Sequence, residues 1–565
     1  MNALAPTISA LRFPSFSRER LVVCGLLAVV SLITIYPIAT VIVASFNAAP
    51  LGAPASWSVE PWRSVLADAA TWKVLANTFV IAIPRTLLAL VLAAALAWLC
   101  ARTNLPGKKV LLGALAFMFF LPDLPWIISW MLMASPQAGL LNTWLGAQWI
   151  NVFNLPGLIV LGAARVTPTL LLFLYPAFLA MDASLEEAAR VSGASAWRTI
   201  WTINLPLAKP ALLAVFILAF VRSVDSFELE QLIGAQAGIY VFTTRIYDLG
   251  FSGATVMPGR AMATALLLLA MTLGLVLAQT RWLGTTAFTT VSGRGFRPRT
   301  LDLGAWRWIA FVAAWLFVLI TGVLPFVVLT IGSMMEVYGF IEFRMFTLRH
   351  WREALGSSSV LLSIWNTIQV GAASATLGIA LALAISYVML RSRSALRRVL
   401  DWIAWAPWAI PGLVMGLGFL WAFVSWPIFG TLWILALVFV ARGLPIGTQQ
   451  FSAAIRQIGA ELEEAARVHG ASWRQTFARI WLPLLKPALL GAWTLIFVMA
   501  VRVLDSALIL TAAGTRLLSV DIFSYAGGGM MEGAVVLSLL QTAVILIGYV
   551  AARLLLGRSP LEVDA

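Results

Sequence analysis

Two segments of the sequence place an arginine and an aspartate inside long apolar runs, three positions apart. Arg222 and Asp225 form the first pair, and Arg502 and Asp505 form the second, each within a Val-Arg-x-x-Asp-Ser motif. A charged side chain at the centre of a membrane helix costs roughly 2.5 to 3.5 kcal/mol on insertion scales, so neither pair is expected to face lipid. The spacing predicts that each arginine pairs with its own aspartate on one helix face. Such pairs could lock helices together or line a polar pathway.

Two glutamates make the halves unequal. Glu228 and Glu230 follow the first pair, whereas Leu508 and Leu510 stand at the same places after the second. An acidic lining would suit a cation such as ferric iron or a polyamine. The alternative, which the position slightly favours, is that these glutamates begin an external loop in water.

Arg165 and Arg442 are a further matched pair, each three residues before a proline in an apolar run. A gate and a structural brace both fit these arginines, and the brace is favoured. The two histidines, His350 and His469, have no neighbours at ligand spacing, so no metal site is expected. No nucleophile and base stand together either, so no catalytic residue is predicted and the chain is not expected to be an enzyme.

A second repeated pattern lies in polar stretches between apolar runs. Glu187-Ala188-Ala189 is followed by Gly193, Glu464-Ala465-Ala466 is followed by Gly470, and Ile-x-Leu-Pro begins ten positions after each glycine. Glutamate and alanine favour a short helix, and glycine permits the turn after it. One copy would suit a surface helix with an acid near its N-terminus. Two copies at one spacing favour docking to another protein, and the pattern resembles the cytoplasmic Glu-Ala-Ala loop of permeases of binding-protein-dependent ABC importers.

The resemblance implies partners and a division of labour. The two halves would form the translocation pathway, each loop would dock on one of two copies of a cytoplasmic ABC ATPase, and an extracytoplasmic solute-binding protein would deliver the substrate. No cofactor is expected on this chain, because ATP and magnesium would bind the ATPase. Gly107-Lys108 lacks the pattern of a phosphate-binding loop.

The fusion of two permease units most resembles ferric-iron importers, which makes ferric iron the expected substrate. Thiamine, polyamine and phosphonate importers remain alternatives. An ATP-independent secondary transporter with twelve spans would share the topology, although it would have no use for two Glu-Ala-Ala loops.

Composition indicates a multi-pass membrane protein. Hydrophobic residues make up 61% of the 565 residues and charged residues only 11%, against roughly a quarter charged in soluble domains. The net charge of +14 comes from lysines and arginines in short loops between apolar runs, which sets membrane orientation and argues against a nucleic-acid partner. Runs of roughly 20 residues can each cross a bilayer as a helix. They lie near 21–45, 74–100, 110–133, 156–181, 210–230, 261–283, 306–333, 364–390, 399–424, 431–455, 487–510 and 533–556.

The chain is internally duplicated. Equivalent residues recur at nearly one offset, as in Asn77 and Asn366 (366 − 77 = 289) or Asp225 and Asp505 (505 − 225 = 280). Six spans a half make the repeats parallel. We therefore expect an all-α membrane protein of about twelve transmembrane helices, with the type I ABC importer permease fold that the resemblance implies. Residues 1–290 would form the first permease unit, 291–305 a cytoplasmic linker and 306–565 the second unit. The positive loops predict a bacterial inner (cytoplasmic) membrane protein with both termini cytoplasmic.

Overall fold

The structure is a computed structural model, and it describes residues 16–49, 53–252, 256–283, 301–338 and 346–556. Within these ranges the chain is helical, and strand pairing is limited to isolated bridges. The α-helices of the first half are α1 (Phe16–Ala44), α2 (Glu60–Ala67), α3 (Ala69–Arg102), α4 (Lys108–Phe120), α5 (Asp123–Ala134), α6 (Leu140–Leu145), α7 (Leu155–Leu179), α8 (Ala183–Val191), α9 (Ala196–Thr199), α10 (Leu205–Val224), α11 (Phe242–Tyr247) and α12 (Pro258–Leu283).

The second half repeats this order. Its α-helices are α13 (Trp306–Val318), α14 (Leu324–Gly332), α15 (Arg349–Gly356), α16 (Ser358–Arg391), α17 (Arg397–Trp405), α18 (Gly412–Phe423), α19 (Leu432–Gln457), α20 (Ala460–Val468), α21 (Trp473–Thr476), α22 (Leu482–Arg502), α23 (Asp505–Leu510), α24 (Leu518–Gly527) and α25 (Met531–Leu556). A π-helical turn leads into α10 at Ile200–Asn204 and into α22 at Phe477–Trp481, and another joins α13 to α14 at Leu319–Val323.

Ten helices of the described residues are long and apolar enough to cross a membrane, and two bent helix pairs bring the number to twelve. All twelve predicted runs coincide with these elements, so the predicted all-α membrane fold is confirmed. The third span of each half differs from a simple rod, because α4 and α5 meet at 99° and the helices on either side of Ala409 meet at 112°. Pro122 and Pro411 each stand directly before the second helix of the pair, where a proline ring prevents the preceding helix from continuing.

Matching hydrogen bonds occur at equivalent positions of the two halves. The Trp62 indole donates to the Ser45 hydroxyl at 3.0 Å, and the Trp351 indole donates to the Ser333 hydroxyl at 3.1 Å. Likewise Thr78 accepts from the Phe242 backbone in the first half, as its counterpart does in the second. The duplication seen in the sequence is therefore a structural repeat.

The first helix of each half packs on the other half. Helix α1 lies against α17 and α18, where the Thr40 hydroxyl donates to the Gly418 carbonyl at 3.2 Å. Helix α14 lies against α5, and the Trp126 indole donates to the carbonyl of Thr321 at 2.7 Å. The division into units 1–290 and 306–565 stays a prediction, and in the packed structure the first helix of each half lies against the other half. Of the predicted linker, only 301–305 falls within the described residues.

Candidate coupling helices and membrane-embedded charges

The two Glu-Ala-Ala motifs lie on matching short helices, α8 and α20. Each helix ends before a glycine with positive φ, 81° at Gly193 and 76° at Gly470, a conformation that other residues rarely adopt. The predicted helix and turn are thus present in both copies. The side chain of Glu187 lies outside the part that the structure describes, whereas that of Glu464 is exposed.

The glutamate that precedes the motif anchors the first of these helices. Glu186 is buried and forms an ion pair with Arg102 at the end of α3, with 2.8 Å between guanidinium and carboxylate. The Asn204 side-chain amide also donates to Glu186 at 3.0 Å, and Arg102 donates to the carbonyl of Met181 at 2.9 Å. Helix α8 is therefore fixed to the second span by charge-assisted hydrogen bonds, which are stronger than neutral ones.

The second half has the same pair in a looser form. Arg391 ends α16, lies 3.6 Å from the Glu463 carboxylate, and donates to the carbonyl of Ile458 at 3.0 Å. Trp481 replaces the asparagine of the first half, and the Arg391 guanidinium lies over its ring. The positions agree with the two repeat offsets, since 391 − 102 = 289 and 463 − 186 = 277. Arg102 and Arg391 were not among the predicted site residues, although their common offset of 289 was an available signal for a shared role.

Each short helix presents an apolar outer face. Leu462 and Val468 are exposed on α20, the latter at 85%, and Val191 is 90% exposed on α8. Ala188 and Ala465 are exposed at the same level of the two helices. Exposed apolar faces rimmed by polar residues mark interaction sites, and this face occurs twice at equivalent positions.

The membrane-embedded charges meet where the two halves touch. Asp123, at the bend between α4 and α5, receives Arg165 Nε at 2.6 Å and Arg502 Nη2 at 3.0 Å. Arg165 also donates to the carbonyls of Met118 and Leu121 at the end of α4, where helical carbonyls run out of intrahelical N–H partners. An arginine of the second half therefore pairs with a carboxylate of the first half.

The second bend has a related arrangement with different residues. Arg442 pairs with Asp505 and donates to the Ser506 hydroxyl at 3.0 Å. Gly412 stands where the first half has Asp123 (412 − 123 = 289), and a Cβ on this glycine would lie 1.7 Å from the Asp505 carboxylate. The Gly412 backbone donates to Asp225 at 3.2 Å. Asp505 thus takes the space of the missing aspartate side chain, and Asp225 reaches across from the first half.

The prediction that an arginine pairs with the aspartate three positions later is wrong for Arg502 and Asp505. Arg502 pairs with Asp123 and Asp505 pairs with Arg442, because α22 ends at Arg502 and a new helix begins at Asp505. The break separates the two side chains, which a continuous helix would have aligned. Asp123, in the Pro-Asp-Leu-Pro stretch at 122–125, was not among the predicted site residues.

Arg222 and Glu228 complete what we call the charge cluster. Arg222 is exposed between the halves, with its guanidinium 4.6 Å from the centre of the Trp408 ring. Glu228 is half-buried and lies within electrostatic range of Asp505 and Asp123. The cluster comprises four acids and four arginines, whose formal charges cancel: Asp123, Asp225, Glu228, Asp505, Arg165, Arg222, Arg442 and Arg502.

Glu230 has a different environment from the one the sequence suggested. It forms an ion pair with Arg85 on α3 at 2.6 Å, and both side chains are almost fully buried. The Ser226 hydroxyl donates to the same carboxylate at 2.6 Å, and Arg85 donates to the carbonyl of Leu158. The expectation that this glutamate begins an external loop in water is therefore wrong. Among the described residues, no group of three or more histidine, cysteine or acidic side chains could hold a metal ion.

These features define a multi-pass helical membrane protein built from a duplicated unit, with its charges gathered between the two copies. The chain belongs to the family of inner-membrane components of binding-protein-dependent transport systems, whose pattern it matches twice, at residues 90–282 and 374–558. The resemblance inferred from the Glu-Ala-Ala loops is thereby confirmed.

Ferric transport permeases are among the similar proteins. The chain is 28% identical over 375 residues to the putative ferric transport system permease protein FbpB 1 of Haemophilus influenzae, covering 65% of this chain and 58% of that protein. It is 27% identical over 418 residues to FbpB of Actinobacillus pleuropneumoniae, covering 72% and 60%. The molybdenum permease ModB of Haemophilus influenzae is 34% identical over 151 residues, which is 26% of this chain and 65% of that protein. The aligned part spans about 60% of the length of the ferric permeases.

Proposed function

We propose that this chain forms the translocation pathway of an ATP-driven ferric-iron importer in a bacterial inner membrane, with both termini in the cytoplasm. In this proposal two copies of a cytoplasmic ABC ATPase drive transport, and an extracytoplasmic binding protein supplies the substrate. Membership of the family supports the transporter class. The ferric permeases, which align over most of the chain, support the substrate.

The observation that carries the coupling role is the repeated attachment of a short helix to a second span. In both halves an apolar face is exposed on the short helix, while a buried glutamate ties the helix to an arginine that ends the span. The ATPase would hold the motif residues of both copies, which include Glu187, Gly193, Glu464 and Gly470. A push on either short helix would then move the span to which it is bound.

The charge cluster lies where such a movement would open the bundle. Arg502 and Asp225 each reach from one half to the bend of the other, so separation of the halves must break both contacts. We assign Arg165 and Arg442 as braces of the two bends, and Arg222 and Glu228 as polar side chains of the pathway. Asp505 holds the second brace in place.

Radioactive iron uptake tests the proposal. Cells that produce the chain with its ATPase and binding protein are compared with cells that produce Glu187→Lys together with Glu464→Lys. We expect uptake at background level, together with loss of the ATPase that copurifies with the wild-type chain. Glu353→Lys, an exposed glutamate on α15, serves as the matched control and should transport normally.

Two outcomes would refute the assignment. Wild-type uptake in the double variant would remove the coupling role. If cells without this chain retain iron uptake but lose thiamine or phosphonate uptake, then thiamine or phosphonate, and not ferric iron, is the substrate.

A further inference from the structure

A groove in the second half has a filled counterpart in the first half. The groove lies beside α20, and its volume is about 170 Å³. Each residue that lines the filled site, apart from Leu301, has a counterpart in the second half at one of the repeat offsets. Five of these counterparts line the groove, and the sixth, Arg391, contacts the groove residue Glu463. The pairs are Trp98 with Tyr387 and Arg102 with Arg391 at 289, and Glu186 with Glu463, Thr199 with Thr476, Ile200 with Phe477 and Asn204 with Trp481 at 277.

Leu301 closes the filled site. This residue comes from the segment just before α13, and its backbone exchanges hydrogen bonds with Arg102 (2.7 Å) and Asn104 (3.1 Å). The Asn104 side chain also donates to Asp302 at 2.6 Å. The segment that precedes the first helix of one half is therefore seated on the short-helix site of the other half.

On the groove side the described contact is made by α1 itself and not by the segment before it. Helix α1 packs on the second half, and its Glu19 carboxylate accepts from the Ser392 hydroxyl (2.5 Å) and the Arg393 backbone (3.1 Å). Arg393 is the counterpart of Asn104 (393 − 104 = 289). The start of α1 is thus held two residues beyond Arg391, which itself contacts the groove residue Glu463.

The residues before α1 match the ones that fill the first site. Offsets of 288 to 290 place Leu301 opposite the segment Leu11-Arg12-Phe13. This segment begins five residues before Phe16, and five residues of extended chain reach about 17 Å. Its two apolar side chains suit the aromatic walls formed by Tyr387, Phe477 and Trp481.

Charge favours the same occupant. Glu463 is 8% exposed, and its Oε1 atom has no hydrogen-bond partner. In the first half Asn204 supplies a donor to the equivalent glutamate, but Trp481 replaces it here. Arg467 donates to the other carboxylate oxygen at 3.5 Å, and Arg391 Nε lies 3.6 Å from Oε1. Arg12 would bring a donor to the one oxygen of Glu463 that receives no hydrogen bond, and such charge-assisted bonds are the strong ones.

We propose that the N-terminal segment Leu11-Arg12-Phe13 docks in the second-half groove beside α20, as Leu301 does in the first half. Residues 1–15 lie outside the described residues, so the proposal concerns the groove and the sequence that can reach it. Docking would fix α20 to the second span as firmly as the linker fixes α8.

Disulfide trapping in native membranes tests the docking. In a chain carrying Cys24→Ser and Cys100→Ala, Leu11→Cys or Phe13→Cys is combined with Ala471→Cys in the groove. After mild oxidation, mass spectrometry measures the linked peptides. We expect a yield at least tenfold higher than with Val468→Cys, which lies on the exposed face of α20. Arg12→Glu should lower the yield several-fold, and Arg12→Lys should retain it.

A positive control makes a negative result informative. Glu19→Cys with Ser392→Cys should link, because the parent side chains are in contact. Formation of this control pair without any link to Ala471→Cys would overturn the proposal. Equal yields at the groove and at Val468→Cys would also overturn it, as would a groove link that forms only in cells lacking the ATPase, since the ATPase would then be the occupant.

Discussion

The buried Arg85–Glu230 ion pair of the first half corresponds to a site without an ion pair in the second half, and this difference can be tested by mutation. At the repeat offsets Ser374 stands for Arg85, and Leu510 stands for Glu230. A Cβ on Gly162 would lie 2.2 Å from Arg85 Nε, and the counterpart of this glycine is Phe439. The second half therefore carries an apolar version of the same site.

We expect Glu230→Leu to destabilise the protein strongly. The arginine side chain is 3% exposed, so removal of its partner leaves a buried charge unpaired. Breaking a buried pair in this way costs about 3 to 5 kcal/mol. That loss lowers the ratio of folded to unfolded protein roughly a hundredfold to several thousandfold.

The apolar version should restore most of the loss. Replacement of a buried ion pair by packed apolar residues of similar volume is often neutral or stabilising. Arg85→Ser and Gly162→Phe, added to Glu230→Leu, recreate the residues of the second half. We expect this triple variant to recover at least half of the free energy lost by the single variant.

Equilibrium unfolding in mixed detergent and SDS micelles, followed by circular dichroism, measures these differences. Thr431→Ala, a helix-cap change at α19, calibrates the assay at about 1 kcal/mol. A loss below about 1 kcal/mol for Glu230→Leu would contradict the reasoning, because a buried unpaired arginine would then carry no penalty. A triple variant no more stable than the single variant would show that the halves are not interchangeable at this site.

Two further predictions concern the bend and the short helices. Gly412→Ala should abolish transport and lower thermal stability in detergent, because the added Cβ would overlap Asp505. The control Gly491→Ala, with no atom within 4 Å of the added carbon, should change stability by less than about 1 kcal/mol. Equal stability of the two variants would contradict the overlap. Val468→Glu should weaken copurification of the ATPase tenfold or more, as loss of a central apolar contact does at interfaces. Val191→Glu should do the same for the other copy of the ATPase. Unchanged copurification in a chain that carries both substitutions would place the docking surface elsewhere.

The spans could be predicted because the bilayer imposes one length on every apolar run. Hydropathy predicted all twelve spans, but it carries no information on the direction of a helix axis. The bends at Pro122 and Pro411 were therefore not expected. Prolines mark both bends in the sequence. Their angle is fixed by packing against the other half, and that contact joins residues hundreds of positions apart.

For the charged residues, too, one property could be predicted from the sequence and another could not. The sequence indicated that Arg502 and Asp505 avoid lipid, which follows from the cost of a charge in hydrocarbon. It could not give their partners, because the helix ends between them and each then meets a residue from a different part of the chain. Glu230 was misplaced for a related reason: its arginine lies 145 positions earlier (230 − 85), and only the fold brings them together.

The exchange of first helices has a consequence for biosynthesis. Helix α14 emerges after α5 has been made, so its packing surface already exists. Helix α1 emerges first, and its partner α18 begins 368 residues later (412 − 44). At about 5 to 20 residues per second, α1 stays in the membrane for roughly 20 to 70 s before it can meet that partner. During this interval α1 can pack on α12 of its own half, but the side that faces α17 and α18 stays uncovered. The second half must therefore insert before the packing of α1 is complete.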